Sequence, residues 1–291
     1  MIRAATSAII AAAALLTGGQ AQAQSRTYEP QGAWSVEQRD EYCALSREFG
    51  GAGEPVTLYF YSYGPMGSLR ITLEGEDLPR NSNKARIGSA GFGDEADMQD
   101  LHVIVGQRGD AGTLNFLTYR PDGGLRFGYA WSAEWDVSMD VWFDPQATRL
   151  TVDTDEMEPL ALELGPVAEA LADLRACEEA LFDSWNLEVP PATQLASPPV
   201  IENGRQVVRA IIRPPAMLIN RSSQMVQVRL VINEAGEVDD CVLQSPNWRP
   251  RDARGVCRKF RDIGEYQPAR NAAGEAVPGL LRGYYLMLIY D

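Results

Sequence analysis

The stretch Glu234–Glu275, EAGEVDDCVLQSPNWRPRDARGVCRKFRDIGEYQPARNAAGE, decides how the C-terminal half is read. Its first four residues, Glu234-Ala235-Gly236-Glu237, are turn chemistry, because glycine accepts the positive φ that a tight hairpin demands. On either side of that turn MVQVRLVINEAGEVDDCVLQS alternates apolar and polar residues, with Val226, Val228, Leu230 and Ile232 pointing one way. That is a β-hairpin with one core face. RDARGVCRKFRDI then supplies a helix whose Val256 and Phe260 share a face, YQPARNAAGEAVPG a structured turn, and LLRGYYLMLIYD a terminal strand. Upstream, RPPAMLINRSSQ opens on prolines suited to the first turn of a helix. Helix, strand, strand, helix, strand predicts a three-stranded antiparallel sheet with helices on one side.

Working outward, residues 1–23 read as a secretory signal peptide. Arg3 gives a basic start, Ala4 to Leu16 an apolar run of 13 residues, and Ala21-Gln22-Ala23 an A-x-A cleavage site. The run is shorter than the roughly 20 residues a spanning helix requires. The expectation is a protein exported to the periplasm, with an uncleaved inner-membrane anchor as the alternative.

Export puts the four cysteines where disulfides persist, so they read as staples rather than nucleophiles or metal ligands. Of three pairings, the spacing favours Cys241 with Cys257 inside one small module, and Cys43 with Cys177 across the rest. The single histidine, His102, sits in the apolar strand pattern LHVIVG and reads as a packed or edge-strand residue. No metal site and no cofactor is implied.

Composition is that of a globular protein, 45% hydrophobic, 9% aromatic and 23% charged. VPPATQLASPP, residues 189–199, is rich in proline and small residues and reads as a linker between a domain at 26–188 and one at 200–291. Charge divides along the same line: residues 24–203 carry 12 Lys+Arg against 31 Asp+Glu, net −19, and residues 204–291 carry 13 against 9, net +4. The positive surface therefore suits docking on its own neighbour or meeting an anionic partner. Nucleic acid is not expected, since the basic residues are spread rather than clustered with aromatics.

The first domain reads as mostly antiparallel β-structure, a sandwich or open barrel. Strand patterns run at VTLYFYSY (56–63), SLRITLEG (68–75), LHVIVGQ (101–107), TLNFLTY (113–119), LRFGYAW (125–131), VSMDVWF (137–143) and RLTVDT (149–154). One helix is expected over PLALELGPVAEALADLRACEEALFDSWNLE, with Leu171, Leu174, Cys177 or Glu178, and Leu181 on one face. Arg108-Gly109-Asp110 reads as a hairpin turn and Gly88–Gly93, GSAGFG, as a loop without the lysine and helix of a phosphate site. Asp136 with Asp140, or Asp153 with Asp155, have strand spacing for paired carboxylates, but acids are abundant enough here that a solvated face accounts for them. No G-x-S-x-G, H-E-x-x-H or Cys/His arrangement is present, so no catalytic residue is assigned.

Several of these motifs, in order, resemble a known family. The run V-x-V-x-L-V-I-N-x-x-G-x-V-x-x-C, a cysteine in the next helix, then Tyr266-Gln267-Pro268-Ala269-Arg270, Gly274 and a terminal strand are similar to the C-terminal domain of TonB, in its disulfide-bearing sphingomonad-type form. Arg213-Pro214-Pro215-Ala216 falls where that family has its Tyr-Pro-x-Ala opening. Residues 34–49 and DLRACEEALFDSWNLE resemble the N-terminal module such bacteria fuse to it, and the β-rich body ending in an ALADL helix resembles, more distantly, the invasion-associated locus B family.

The resemblance implies an energy-transducer-like module that binds protein in transmembrane transport. Such domains take a short peptide from the plug of an outer-membrane receptor as an extra strand, a form of β-augmentation. Matching positions are Arg213, Pro214, Pro215 and Ala216, and the strand Gly283, Tyr284, Tyr285, Leu286, Met287, Leu288, Ile289 and Tyr290, with Arg213 and Arg282 drawing in an acidic segment. The expected partner is a receptor plug or another periplasmic protein segment, without nucleic acid or small-molecule cofactor, and a homodimer is compatible with it. The alternative is an envelope polymer-acting enzyme, or a structural periplasmic protein, using the acidic N-terminal domain.

Overall fold

The computed structural model describes residues 26–51, 53–64, 68–80, 84–93, 98–119, 128–132, 140–142, 146–212, 224–244 and 250–287. Residues 1–23, expected as a signal peptide, and Arg213 to Ala216 lie outside them, as do Leu288, Ile289, Tyr290 and Asp136.

The N-terminal half is built from β1 (Arg26–Gln38), β2 (Cys43–Gly51), β3 (Val56–Ser62), β4 (Ser68–Gly75), β5 (Lys84–Phe92), β6 (Gln99–Arg108), β7 (Ala111–Tyr119), β8 (Gly128–Ser132), β9 (Asp140–Trp142), β10 (Arg149–Thr154) and β11 (Met157–Glu163). Nine of these close into a barrel in the order β1-β2-β3-β4-β7-β6-β5-β10-β11. Every seam is antiparallel except the last, where β1 lies parallel to β11 with Arg26 opposite Leu160 and Tyr28 opposite Leu162. The short β9 continues the line of β6 along β7. Closure leaves the barrel without a sheet edge.

Alternation fills the interior: Val56, Leu58, Phe60 and Ser62 are buried while Thr57, Tyr59 and Tyr61 are not. Leu69, Ile71, Leu73, Val103, Val105, Leu114 and Phe116 join them in one core. The helix α1 (Ala168–Ser184) packs Leu171, Leu174 and Leu181 on the same core, and Cys43 bonds Cys177 to tie β2 to it.

The C-terminal half follows with β12 (Leu195–Ser197), β13 (Val200–Ile201), α2 (Gly204–Ile212), β14 (Gln224–Ile232), β15 (Val238–Leu243), α3 (Pro250–Ile263), β16 (Tyr266–Gln267), β17 (Ala269–Asn271), β18 (Ala276–Val277) and β19 (Gly279–Met287). Its main sheet has four strands, β15-β14-β19-β8, and the fourth comes from the barrel half and runs parallel to β19. Two small ladders, β12-β17-β18 and β13-β16, flank it.

Three layers result. Even-numbered Val226, Val228, Leu230 and Ile232 of β14 meet Val207, Val208 and Ile211 of α2 and Val256 and Phe260 of α3. The other face of the sheet meets the outer wall of the barrel, where Met225 and Tyr284 cluster with Tyr63, Ile104 and Leu117. Ile104 and Leu117 alternate with the inward Val103, Val105 and Phe116, so they point outward from the barrel and are buried only because the sheet covers them.

These findings correct the fold expected from sequence. The N-terminal half is a closed nine-strand barrel rather than a sandwich or open barrel, and the C-terminal sheet is not a separate three-stranded unit, because β8 completes it. Two local expectations fail for identifiable reasons. PLALE lies in the strand β11, not in a helix, and its Leu160, Ala161 and Leu162 are all buried, covered on both faces. GSAGFG belongs to β5, where glycine serves close approach: a Cβ on Gly88 would lie 2.6 Å from the Asp153 carbonyl oxygen. The stretch 189–199, expected as a linker, carries short strand pairing in its second half, with Leu195 opposite Asn271 and Ser197 opposite Arg270.

Candidate functional site

Both predicted disulfides are present, Cys43–Cys177 and Cys241–Cys257. Arg108-Gly109-Asp110 forms the turn from β6 to β7, with Gly109 at φ 60°. His102 lies mid-strand on β6, opposite Ile87.

The predicted binding strand is β19. It pairs along its full length with β14, from Gly279 opposite Ile232 to Met287 opposite Gln224. Its other side, expected to be free for a partner, is paired with β8 from Arg282 opposite Gly128 to Leu286 opposite Ser132. Gly283, Tyr284, Tyr285 and Leu286 therefore sit between two strands, and Met287 pairs with Gln224 of β14.

Arg282 also has a different setting from the surface position expected. It is 3% exposed and donates from Nη1 to the backbone carbonyl of Tyr63 on the barrel. Gln244 donates toward the same carbonyl at 3.4 Å and to the backbone carbonyl of Glu41 at 3.3 Å. Gly64, at φ 114°, is what allows Arg282 to approach, since a Cβ there would stand 2.3 Å from its Nη1. Tyr284 meets Tyr63 edge to face at 6.1 Å.

A second arginine on this face bridges the two halves. Arg229 of β14 lies 3.6 Å from the Glu41 carboxylate and 3.8 Å from Asp240, and its guanidinium stands 4.1 Å from the centroid of Trp185, just beyond α1. Burial pushes the Glu41 carboxyl above its ordinary value, with Arg229 pulling it back, and burial lowers the Arg229 guanidinium, with Glu41 and Asp240 opposing. Burial likewise raises the Tyr63 hydroxyl, against Arg70. The arrangement is an electrostatic clasp between an acidic half and a basic half.

The sequence offered a partial signal for this clasp in the opposite charges of the halves. It gave none for Glu41, Tyr63 and Trp185, and the polar positions Gln227 and Arg229 read as a solvent face because alternation reports two faces without saying what covers the second. Among the described residues no helix is long and apolar enough to cross a membrane. No protein-family model, curated protein or solved structure matches this chain.

Proposed function

We propose that this chain is a non-catalytic, exported protein-binding module of the cell envelope that takes extended partner segments as added strands of its C-terminal sheet. The observation that carries the reading is the β8–β19 pairing. A segment distant in sequence adds itself to β19 in parallel register, which is the chemistry of β-augmentation supplied from within the chain. Under this reading β8 holds the edge that a receptor-plug segment would take, and shields an otherwise aggregation-prone strand until that exchange. The resemblance of the C-terminal motifs to TonB supports the same role, and the paired cysteines support an oxidising compartment.

The test is competition. In a parallel ladder alternate residues face the partner strand, so the double variant Tyr129→Pro/Ala130→Pro removes at least one donor from β8 whichever way its parity falls. Labelled peptides from outer-membrane receptor plugs should bind this variant at least tenfold more tightly than the wild type. Equal binding by the two, or none by either, rejects the reading.

A further inference from the structure

The opposite edge of the C-terminal sheet is built differently. β15 pairs with β14 alone, and among the described residues no strand lies on its outer side. Gln244 donates its amide to the Gln227 carbonyl at 2.9 Å, so the alternation of an antiparallel ladder turns Val242 and Asp240 inward. Cys241 and Leu243 then present their amides and carbonyls outward.

Beside that edge runs α3, fixed to β15 by the Cys241–Cys257 bond. Between them lies a groove of about 540 Å³. Cys241, Leu243 and Ala253 give it an apolar lining, and Arg254, Arg258 and Arg261 a basic one, with no acidic residue among those that line it. All three arginines are exposed. The two acids of β15 are engaged elsewhere: Asp240 lies 3.8 Å from Arg229, and Asp239 accepts from Asn233 at 2.9 Å.

Spacing makes the pattern readable. Residues four and three apart share one stripe of a helix, so Arg254, Arg258 and Arg261 stand in a row with axial steps of about 6 and about 4.5 Å. Alternate side chains of an extended strand repeat at about 6.6 Å on one face. A strand laid along β15 would bring every second side chain over the apolar lining toward successive guanidinium groups. Glutamate suits that path, because its methylenes cross the apolar strip and its carboxylate takes a charge-assisted, forked contact with arginine.

We propose that the β15–α3 groove binds an extended acidic segment of another protein as a fifth strand of the sheet, with glutamates at alternate positions. This site is separate from the β19 edge and does not depend on release of β8. The experiment is fluorescence anisotropy on the full chain, with a labelled octapeptide of alternating valine and glutamate as probe. The wild type should bind it, binding should weaken as salt rises, and the Val–Lys counterpart and a peptide with the same residues in two blocks should bind at least tenfold more weakly. Arg254→Glu/Arg258→Glu, two exposed positions, should lose at least tenfold in affinity, and Leu243→Pro, which removes an outward amide, should lose as much. The proposal is overturned if the arginine variant binds like the wild type, if the Val–Lys peptide binds equally, if no acidic probe binds, or if sedimentation shows a dimer that the arginine variant dissolves, which would give the groove to a second copy. The Tyr129→Pro/Ala130→Pro variant should leave probe binding unchanged, so failure here and failure of the β19 reading are separate results.

Discussion

The barrel and the C-terminal sheet are made of similar strands and treat their edges in opposite ways. The barrel closes on itself by joining its first strand to β11, and buries one apolar interior. The sheet stays open, borrows β8 for one side, leaves β15 for the other, and is covered on both faces by elements that differ in chemistry. Closure gives stability without capacity to recruit; openness gives recruiting edges that must be shielded or charged. On this comparison it is the sheet, not the barrel, that offers an edge among the described strands.

The largest effect that would sharpen it concerns the staples. Cys43 and Cys177 are 134 residues apart and Cys241 and Cys257 only 16. In the chain-entropy view the long loop is worth about 5 kcal/mol and the short one about 3 kcal/mol. Replacing each pair by serine and measuring denaturant unfolding should give the larger loss for Cys43/Cys177. A larger loss for Cys241/Cys257 would mean that the sheet, not the barrel, limits stability.

Next comes the clasp. Glu41→Ala leaves the buried Arg229 with Asp240 at 3.8 Å as its carboxylate, and should cost about 2 kcal/mol. Its signature should be loss of a single unfolding transition, the sheet melting before the barrel in calorimetry. One unaltered transition would show that the two halves are held by the Tyr63–Tyr284 cluster instead.

The smallest effect is in pH. A carboxyl raised by burial binds its proton more tightly in the folded chain than in the unfolded one, so the proton-linked part of the stability at Glu41 is complete below the ordinary carboxylate range and is lost as pH rises through the raised value, with the contact to Arg229 offsetting part of that loss. One proton bounds the slope at about 1.4 kcal/mol per pH unit. Glu41→Gln should flatten the stability profile in that window, and an unchanged profile would place the titration elsewhere.

Local chemistry was legible where it is written in adjacent residues. The Glu234–Glu237 turn, the inward phase of Val226 to Ile232 and the Cys241–Cys257 pairing follow from short patterns, and Cys43 with Cys177 is what that pairing leaves. What escaped depends on partners far away. β1, with Pro30, Gln31 and Gly32, has no alternation to announce a strand and becomes one because β2 and β11 stand on either side. The same holds for β5, whose glycines suit crowding rather than propensity. The covering of β19 by β8 is a parallel pairing across about half the chain, and no local pattern encodes its occurrence. The basic row on α3 stood in plain sight, but a helix face with charges reads as solvated until the strand beside it is seen to lack a neighbour.

The parallel seam between β1 and β11 has a consequence in time. Its contacts join Arg26 to Leu160, so the barrel's last joint must wait until most of the chain is in place, and loop closure of that length is slow compared with hairpins such as β6–β7. A chain delivered N-terminus first would pair β1 with β2 early but leave its other edge open until β11 arrives, prone to join whatever strand it meets. The step that finishes the barrel is therefore the one at which a holding factor, or an early wrong partner, would decide the yield of folded protein.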